Sequence, residues 1–140
     1  MESIYVSAAE SVILWPGEDV QVFRRTILSA VVAAELYAGT RDRQKKRVLD
    51  RLCHAHSALG HFSCPRASAW IETGSLLRRA RETFGHMDFV RHFRDLLVAF
   101  ETSSAGATLV TENIRDFERW KALFASARRT LKLFNATPPT

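Results

Sequence analysis

The chain has 140 residues, 46% of them hydrophobic and 25% charged, which is the composition of one ordinary globular domain long enough to bury a core. Its formal net charge of +5 suits an anionic partner such as nucleic acid without requiring one. Cys53 and Cys64 form no disulfide framework and read as free thiols of a cytoplasmic protein; the opening MESIYVSAAES lacks the basic start of a signal peptide, and no apolar run approaches the roughly 20 residues that span a bilayer.

SIYVSAAESVIL sets Ile4, Ala8 and Val12 on one helical spacing and Tyr5, Ala9 and Ile13 on the next. A helix is predicted there, although its first residues fit an extended segment equally. Ser7 and Glu10 have capping-box spacing, and Trp15-Pro16-Gly17 ends the element. TILSAVV (26–32) reads as a short buried strand running into VAAELYAG, a helical turn or two closed by Gly39. Residues 41–59 form a helix with Val48, Leu49, Leu52, His56 and Leu59 on one stripe and a basic opposite face. HFSCP is a short extended piece. Pro65 opens a helix that Gly85 closes, with Trp70, Gly74, Leu77 and Arg81, or Ile71, Leu76 and Ala80, sharing a face. Residues 89–106 make another helix, ATLVT (107–111) a strand, and Asn113 opens a further helix. TLKLF is an edge strand before a disordered end at 135–140. Helices alternating with short, continuously apolar strands predict a single α/β domain over 1–134, with a parallel sheet covered by helices.

Three carboxylates stand out by context. Glu35 follows a buried strand, Asp95 opens the apolar run DLLVAF, and Asp116 lies just beyond ATLVT. Sites in open parallel sheets gather outside the carboxyl ends of the strands, so Glu35 and Asp116 could face one cleft, with Asp95 entering from a helix. Clustered carboxylates repel unless a cation neutralises them, and hard oxygen donors favour Mg²⁺ or Mn²⁺. The plainer reading is three solvated acidic side chains, and spacing does not choose between the two.

SAVVAAELYAGT resembles the SxVxxAELxxG stretch of PIN-domain proteins, in particular the VapC-type toxin ribonucleases. RDLLVAFETSSAGATLVTENIRDFERW resembles their second signature: an Asp opening an apolar helix, a Gly, a strand, then TxNxxDF. PRASAWIETGSLLRRARETFG is similar to their linking helix, so the likeness covers roughly residues 26 to 121 in order. It implies a three-layer α/β/α sandwich around a short parallel sheet. It also implies Mg²⁺- or Mn²⁺-dependent RNA cleavage by metal-activated water at a quartet of acids. Glu35, Asp95 and Asp116 match the second, third and fourth acids; Thr111 and Asn113 match the supporting polar pair. The implied setting is a toxin–antitoxin pair: a cytoplasmic homodimeric toxin, silenced by a small antitoxin and acting on RNA without a membrane.

The start of the chain departs from that pattern. SIYVS (3–7) resembles the part just after the family's first Asp, so Met1 falls on the acid, Glu2 on the following Thr, and Ser3 on a supporting position. The preceding central strand then has no counterpart. Three readings stay open: a start shortened or placed too late, a decayed domain that binds RNA or antitoxin without cutting, or Glu2 replacing the acid with 2–6 as a makeshift strand. Arg94 is a second departure, since a cation beside Asp95 competes with a metal.

The cluster Cys53, His54, His56, His61 and Cys64 matches no common zinc spacing and reads as a helix end with exposed histidines and semi-buried thiols. Arg41, Arg43, Lys45 and Lys46 are either a solvated face or RNA contacts. Trp15, Trp70 and Trp120 read as core or interface residues. No Ser–His triad or phosphate-binding glycine loop is present.

Overall fold

The computed structural model describes residues 4–6, as backbone, and 25–135. In chain order they form β1 (Ile4–Val6), β2 (Thr26–Ser29), α1 (Ala30–Ala38), α2 (Arg43–Ala58), β3 (Phe62–Ser63), α3 (Ala67–Phe84), α4 (Phe89–Ser104), β4 (Thr108–Thr111), α5 (Ile114–Ser126) and β5 (Lys132–Asn135). The strands make one sheet in the order β3-β2-β1-β4-β5, with every pair parallel. Helices cover it in the three-layer α/β/α arrangement expected from the sequence. None of the described helices is long and apolar enough to cross a membrane.

The central strand is where the sequence reading needs correction. Of the two readings left open for these residues, Ile4–Val6 takes the extended one and not the start of a helix, and the sheet does not lack its middle. Ile4 pairs with Thr26 on one side and Thr108 on the other, and Val6 lies opposite Val110. The physical reason is demand from both sides: β2 and β4 each present ladder groups that would be buried unpaired, and Ile-Tyr-Val is β-branched and aromatic. Ser7, Glu10 and Trp15 lie outside the described residues, as do Glu2, Ser3 and 136–140.

β2 stops earlier than TILSAVV suggests. Ser29 is the N-cap of α1, its Oγ accepting from the Val31 amide at 3.2 Å, so Ala30-Val31-Val32 turns into helix. Burial on both faces marks β2 and β4 as inner strands, with Thr26, Leu28, Ser29, Leu109, Val110 and Thr111 all buried. β5 is the exposed edge expected of TLKLF.

The core is built on α4, where every residue from Leu96 to Thr102 is buried, and on Phe117, Trp120 and Phe124 of α5. Phe100 and Phe124 meet with ring centroids 4.5 Å apart. Gly106, at φ 63°, reverses the chain after α4 and lets the Ala107 amide donate to the Thr102 carbonyl, which launches β4. On α3 the buried face is Thr73, Leu76, Leu77 and Ala80. Ile71 is therefore exposed rather than core, and Trp70 is half-exposed on a surface stack. On α2 the buried residues are Leu49, Leu52 and His56. His56 is thus a core histidine, and only His54 is exposed on that helix; Cys53 is half-buried and Cys64 exposed.

Candidate functional site

The order β3-β2-β1-β4-β5 reverses direction between β1 and β4, and in such sheets the crevice outside the carboxyl ends at that point is the usual binding place. β2 ends at Ser29 and leads into α1, which carries Glu35 on its exposed side. β4 ends at Thr111 and leads into α5, which carries Asp116 in its first turn. α4 lies against β1 and β4 and touches α1, α3 and α5. Its amino-terminal half holds Asp95, which is half-buried.

The three carboxylates share one electrostatic field. The Asp95 carboxyl is pushed up from 3.8 to about 6, first by burial, then by the negative charges of Glu35 and Asp116; Arg94 and Arg119 act in the opposite direction. Neither Glu35 nor Asp95 has an ion pair among the described residues. A half-buried carboxyl facing two like charges is electrostatically costly, and hard oxygen donors are the type that divalent cations such as Mg²⁺ prefer. The three groups do not close on one point: among the described residues no three His, Cys, Asp or Glu side chains stand close enough to form a metal cluster.

Thr111 and Asn113 are linked to Asp116 by hydrogen bonds. Buried Thr111 accepts the Asn113 amide on Oγ1 at 2.9 Å. The Asn113 side-chain amide donates to Asp116 Oδ2 at 3.0 Å. Asn113 stands at the N-cap of α5 without a side-chain bond to the helix backbone, and its side-chain amide donates to the first-turn carboxylate of Asp116. Of the basic candidates, Arg41, Arg43 and Lys45 are exposed just beyond α1, whereas Lys46 is paired to Asp50 at 2.9 Å. Asp50 also accepts from the Tyr37 hydroxyl at 2.6 Å, so Lys46 belongs to a surface brace between α1 and α2.

Glu101 was not singled out from the sequence, and it organises the site from beneath. It is buried, accepts from Ser29 Oγ at 2.6 Å, and accepts from Ser63 Oγ as well. Burial raises its carboxyl, while both hydroxyls act to lower it. One side chain of α4 thereby ties down the ends of β2 and β3, and Ser29 is also the cap of the helix bearing Glu35. The signal was legible in principle: Glu101 interrupts DLLVAFETSS as Glu35 interrupts its own apolar run. Glu101→Ala is expected to cost about 2–4 kcal/mol in urea unfolding, from a cavity plus two orphaned hydroxyls. Glu101→Gln, which can still accept, should keep most of that stability. Equal losses in both variants would show that the serine bonds contribute nothing.

His92 and Arg119 are the other residues that spacing did not reveal. His92 packs edge-on against Trp120, with centroids 5.2 Å apart, and burial followed by the charges of Arg119 and Arg91 lowers its pKa. Arg119, the residue just before Trp120 on α5, folds its guanidinium over the same ring.

No protein-family model matches the chain, and no curated protein matches it in sequence. Solved structures do match. The structure of FitAB bound to an IR36 DNA fragment aligns over 94% of this chain and 94% of that one, at 16% identity and a TM-score of 0.58. VapBC2 from Rickettsia felis, bound to a DNA fragment from their promoter, aligns over 96% of this chain and 99% of that one, at 24% identity and a TM-score of 0.61. Likeness at these identities carries the fold, and the fold is the PIN-like α/β architecture that the two sequence motifs imply.

Proposed function

We propose that this chain is a metal-dependent endoribonuclease of the VapC type, the toxin of a toxin–antitoxin pair. The observation that carries the reading is Asp95: a half-buried carboxyl without an ion pair among the described residues, raised first by burial and then by the charges of Glu35 and Asp116 at the sheet's switch point. Glu35, Asp95 and Asp116 would hold Mg²⁺ or Mn²⁺. Such an ion supplies activated water and charge stabilisation for phosphodiester cleavage. The chain's own part is positional. Thr111 fixes Asn113, Asn113 fixes Asp116, and Glu101 with Ser29 fixes the root of the helix that carries Glu35. Arg41, Arg43 and Lys45 supply exposed positive charge for an RNA backbone beside that helix.

A small antitoxin and a second copy of the chain are the protein partners this reading implies. Likeness to the VapBC2 and FitAB chains supports the first. Exposed Phe89 and Trp70, stacked on half-buried Phe93, with Ile71 and Val90 also exposed, offer an apolar surface for either.

Asp116→Asn is expected to lower Mn²⁺-dependent RNA cleavage by more than the roughly 100-fold ceiling for an outer-shell partner, and Asn113→Ala by about 10–100-fold. Chelation should stop the wild-type reaction. Gel assays of labelled RNA with and without Mn²⁺ read all three. A second reading, a PIN-like module that binds RNA or antitoxin without cutting, is favoured by the carboxylates' failure to close into a ligand cluster and by Arg94 and Arg119 beside Asp95. RNA left intact by concentrated wild-type protein with Mn²⁺ would decide for it.

A further inference from the structure

Arg119 is a cation held ready at the carboxylate cleft and not consumed there. Its Cζ lies 4.5 Å from the centroid of the Trp120 ring and 5.8 Å from that of Phe84, so two aromatic faces fix the guanidinium. Among the described residues the nearest carboxylate oxygen, Asp116 Oδ1, is 4.0 Å away, at the outer limit of an ion pair and too far for a hydrogen bond. The other Asp116 oxygen is occupied by Asn113. Arg119 Nε is buried with no acceptor among the described residues, and so is Nε1 of the neighbouring Trp120. A guanidinium has five donors and no acceptor, and its fork matches two oxygens of a phosphate. The charge of Arg119 reaches both Asp95 and His92, which places it on the acidic side of α5.

We propose that Arg119 is the phosphate-gripping residue of this site: its guanidinium, pre-set on Trp120 and Phe84, bonds the non-bridging oxygens of an RNA phosphodiester held against Glu35, Asp95 and Asp116. The proposal rests on the ribonuclease reading for its substrate class. It differs from an internal counter-ion role, in which Arg119 would serve only to neutralise the carboxylates. A counter-ion would sit in hydrogen-bonding contact with a carboxylate, whereas Arg119 stands off from Asp116 and is fixed by rings.

The test is RNA binding without turnover. A labelled single-stranded RNA is titrated in EDTA at several salt concentrations against wild type, Arg119→Ala, Arg119→Gln and Arg119→Lys. The Gln variant keeps a packing stem in case Ala disturbs the fold, and near-UV circular dichroism checks both. The expected result is binding weakened about tenfold in Ala and Gln, a log–log salt slope shallower by about 0.7 for one lost contact to a single strand, and partial recovery in Lys. With Mn²⁺, the same variants should lose kcat more than KM. Wild-type Kd and salt slope in a folded Gln variant would overturn the proposal, as would a wild-type chain that binds no RNA. The two readings fail separately. Wild type that binds RNA through Arg119 yet never cuts it removes the nuclease and keeps the grip. Wild type that cuts with Mn²⁺, alongside a fully active Gln variant, keeps the nuclease and removes the grip.

Discussion

Asp95→Asn should make the metal-free protein more stable and at the same time abolish its response to Mn²⁺. The folded carboxyl keeps its proton up to about pH 6, while an unfolded aspartate releases it near 3.8. Stability from this group is therefore full below 3.8 and is lost as pH rises to about 6; above that, the folded state carries an ionised, crowded carboxylate. Asparagine removes the charge, and with allowance for partial exposure the gain at pH 8 is roughly 1–3 kcal/mol in urea unfolding. Millimolar Mn²⁺ should raise the melting temperature of wild type and leave the variant unmoved. Cleavage should be lost with it. Two outcomes would sink the idea: an Asn variant less stable than wild type without metal, or one still stabilised by Mn²⁺. The result would show a functional group held in place against the interest of the fold, as expected where charge is gathered for a ligand.

The second large effect is acid sensitivity through His56. This core histidine is lowered from 6.5 to about 4, mainly by burial and secondarily by the nearby charge of His61. Folding keeps it neutral while the unfolded chain takes up a proton near 6.5. Its contribution is present above pH 6.5 and is lost as pH falls towards 4, a total of about 3 kcal/mol. Asp95 runs the other way over nearly the same window; Glu101, also raised, adds to Asp95, and His92, also lowered, adds to His56. The wild-type stability curve should therefore be nearly flat between pH 6.5 and 4. Asp95→Asn should tilt it downward towards acid, and His56→Gln should tilt it upward. Parallel curves for all three proteins would refute the assignment, whatever their absolute stabilities.

Glu35, Asp95 and Asp116 were legible because each breaks a pattern: a carboxylate set in or beside an apolar run is rare enough to be noticed. The parallel sheet was legible for a related reason, since TILS and TLVT are uncharged throughout and set two apolar residues side by side at their centres, a pattern that suits strands buried on both faces. Asn113 and Thr111 followed from their motif, and the structure gives them one continuous chain of bonds to Asp116. Helix ends were legible wherever a residue carried the reason, as at Gly85 and Gly106, both with positive φ.

What the sequence left open depended on partners distant along the chain. Ile4–Val6 fits a helix or a strand by local preference, and pairing to β2 and β4 on both sides decided for the strand. Glu101 is tied to Ser29, 72 residues away, and no spacing rule reaches that far. Ile71 and His56 both sit on helices, one exposed and the other fully buried, because burial depends on which neighbour covers a face and not on the residue alone. Arg119 looked like one basic residue among many until two aromatic rings fixed it beside Asp116. By itself the sequence determined the alternation of elements and the identity of the acids, since periodicity and local chemistry are written in neighbouring residues. Only the tertiary structure decided that those acids share one field, because Coulomb energy depends on distance in space, and folding alone brings residues 35, 95 and 116 within reach of one another.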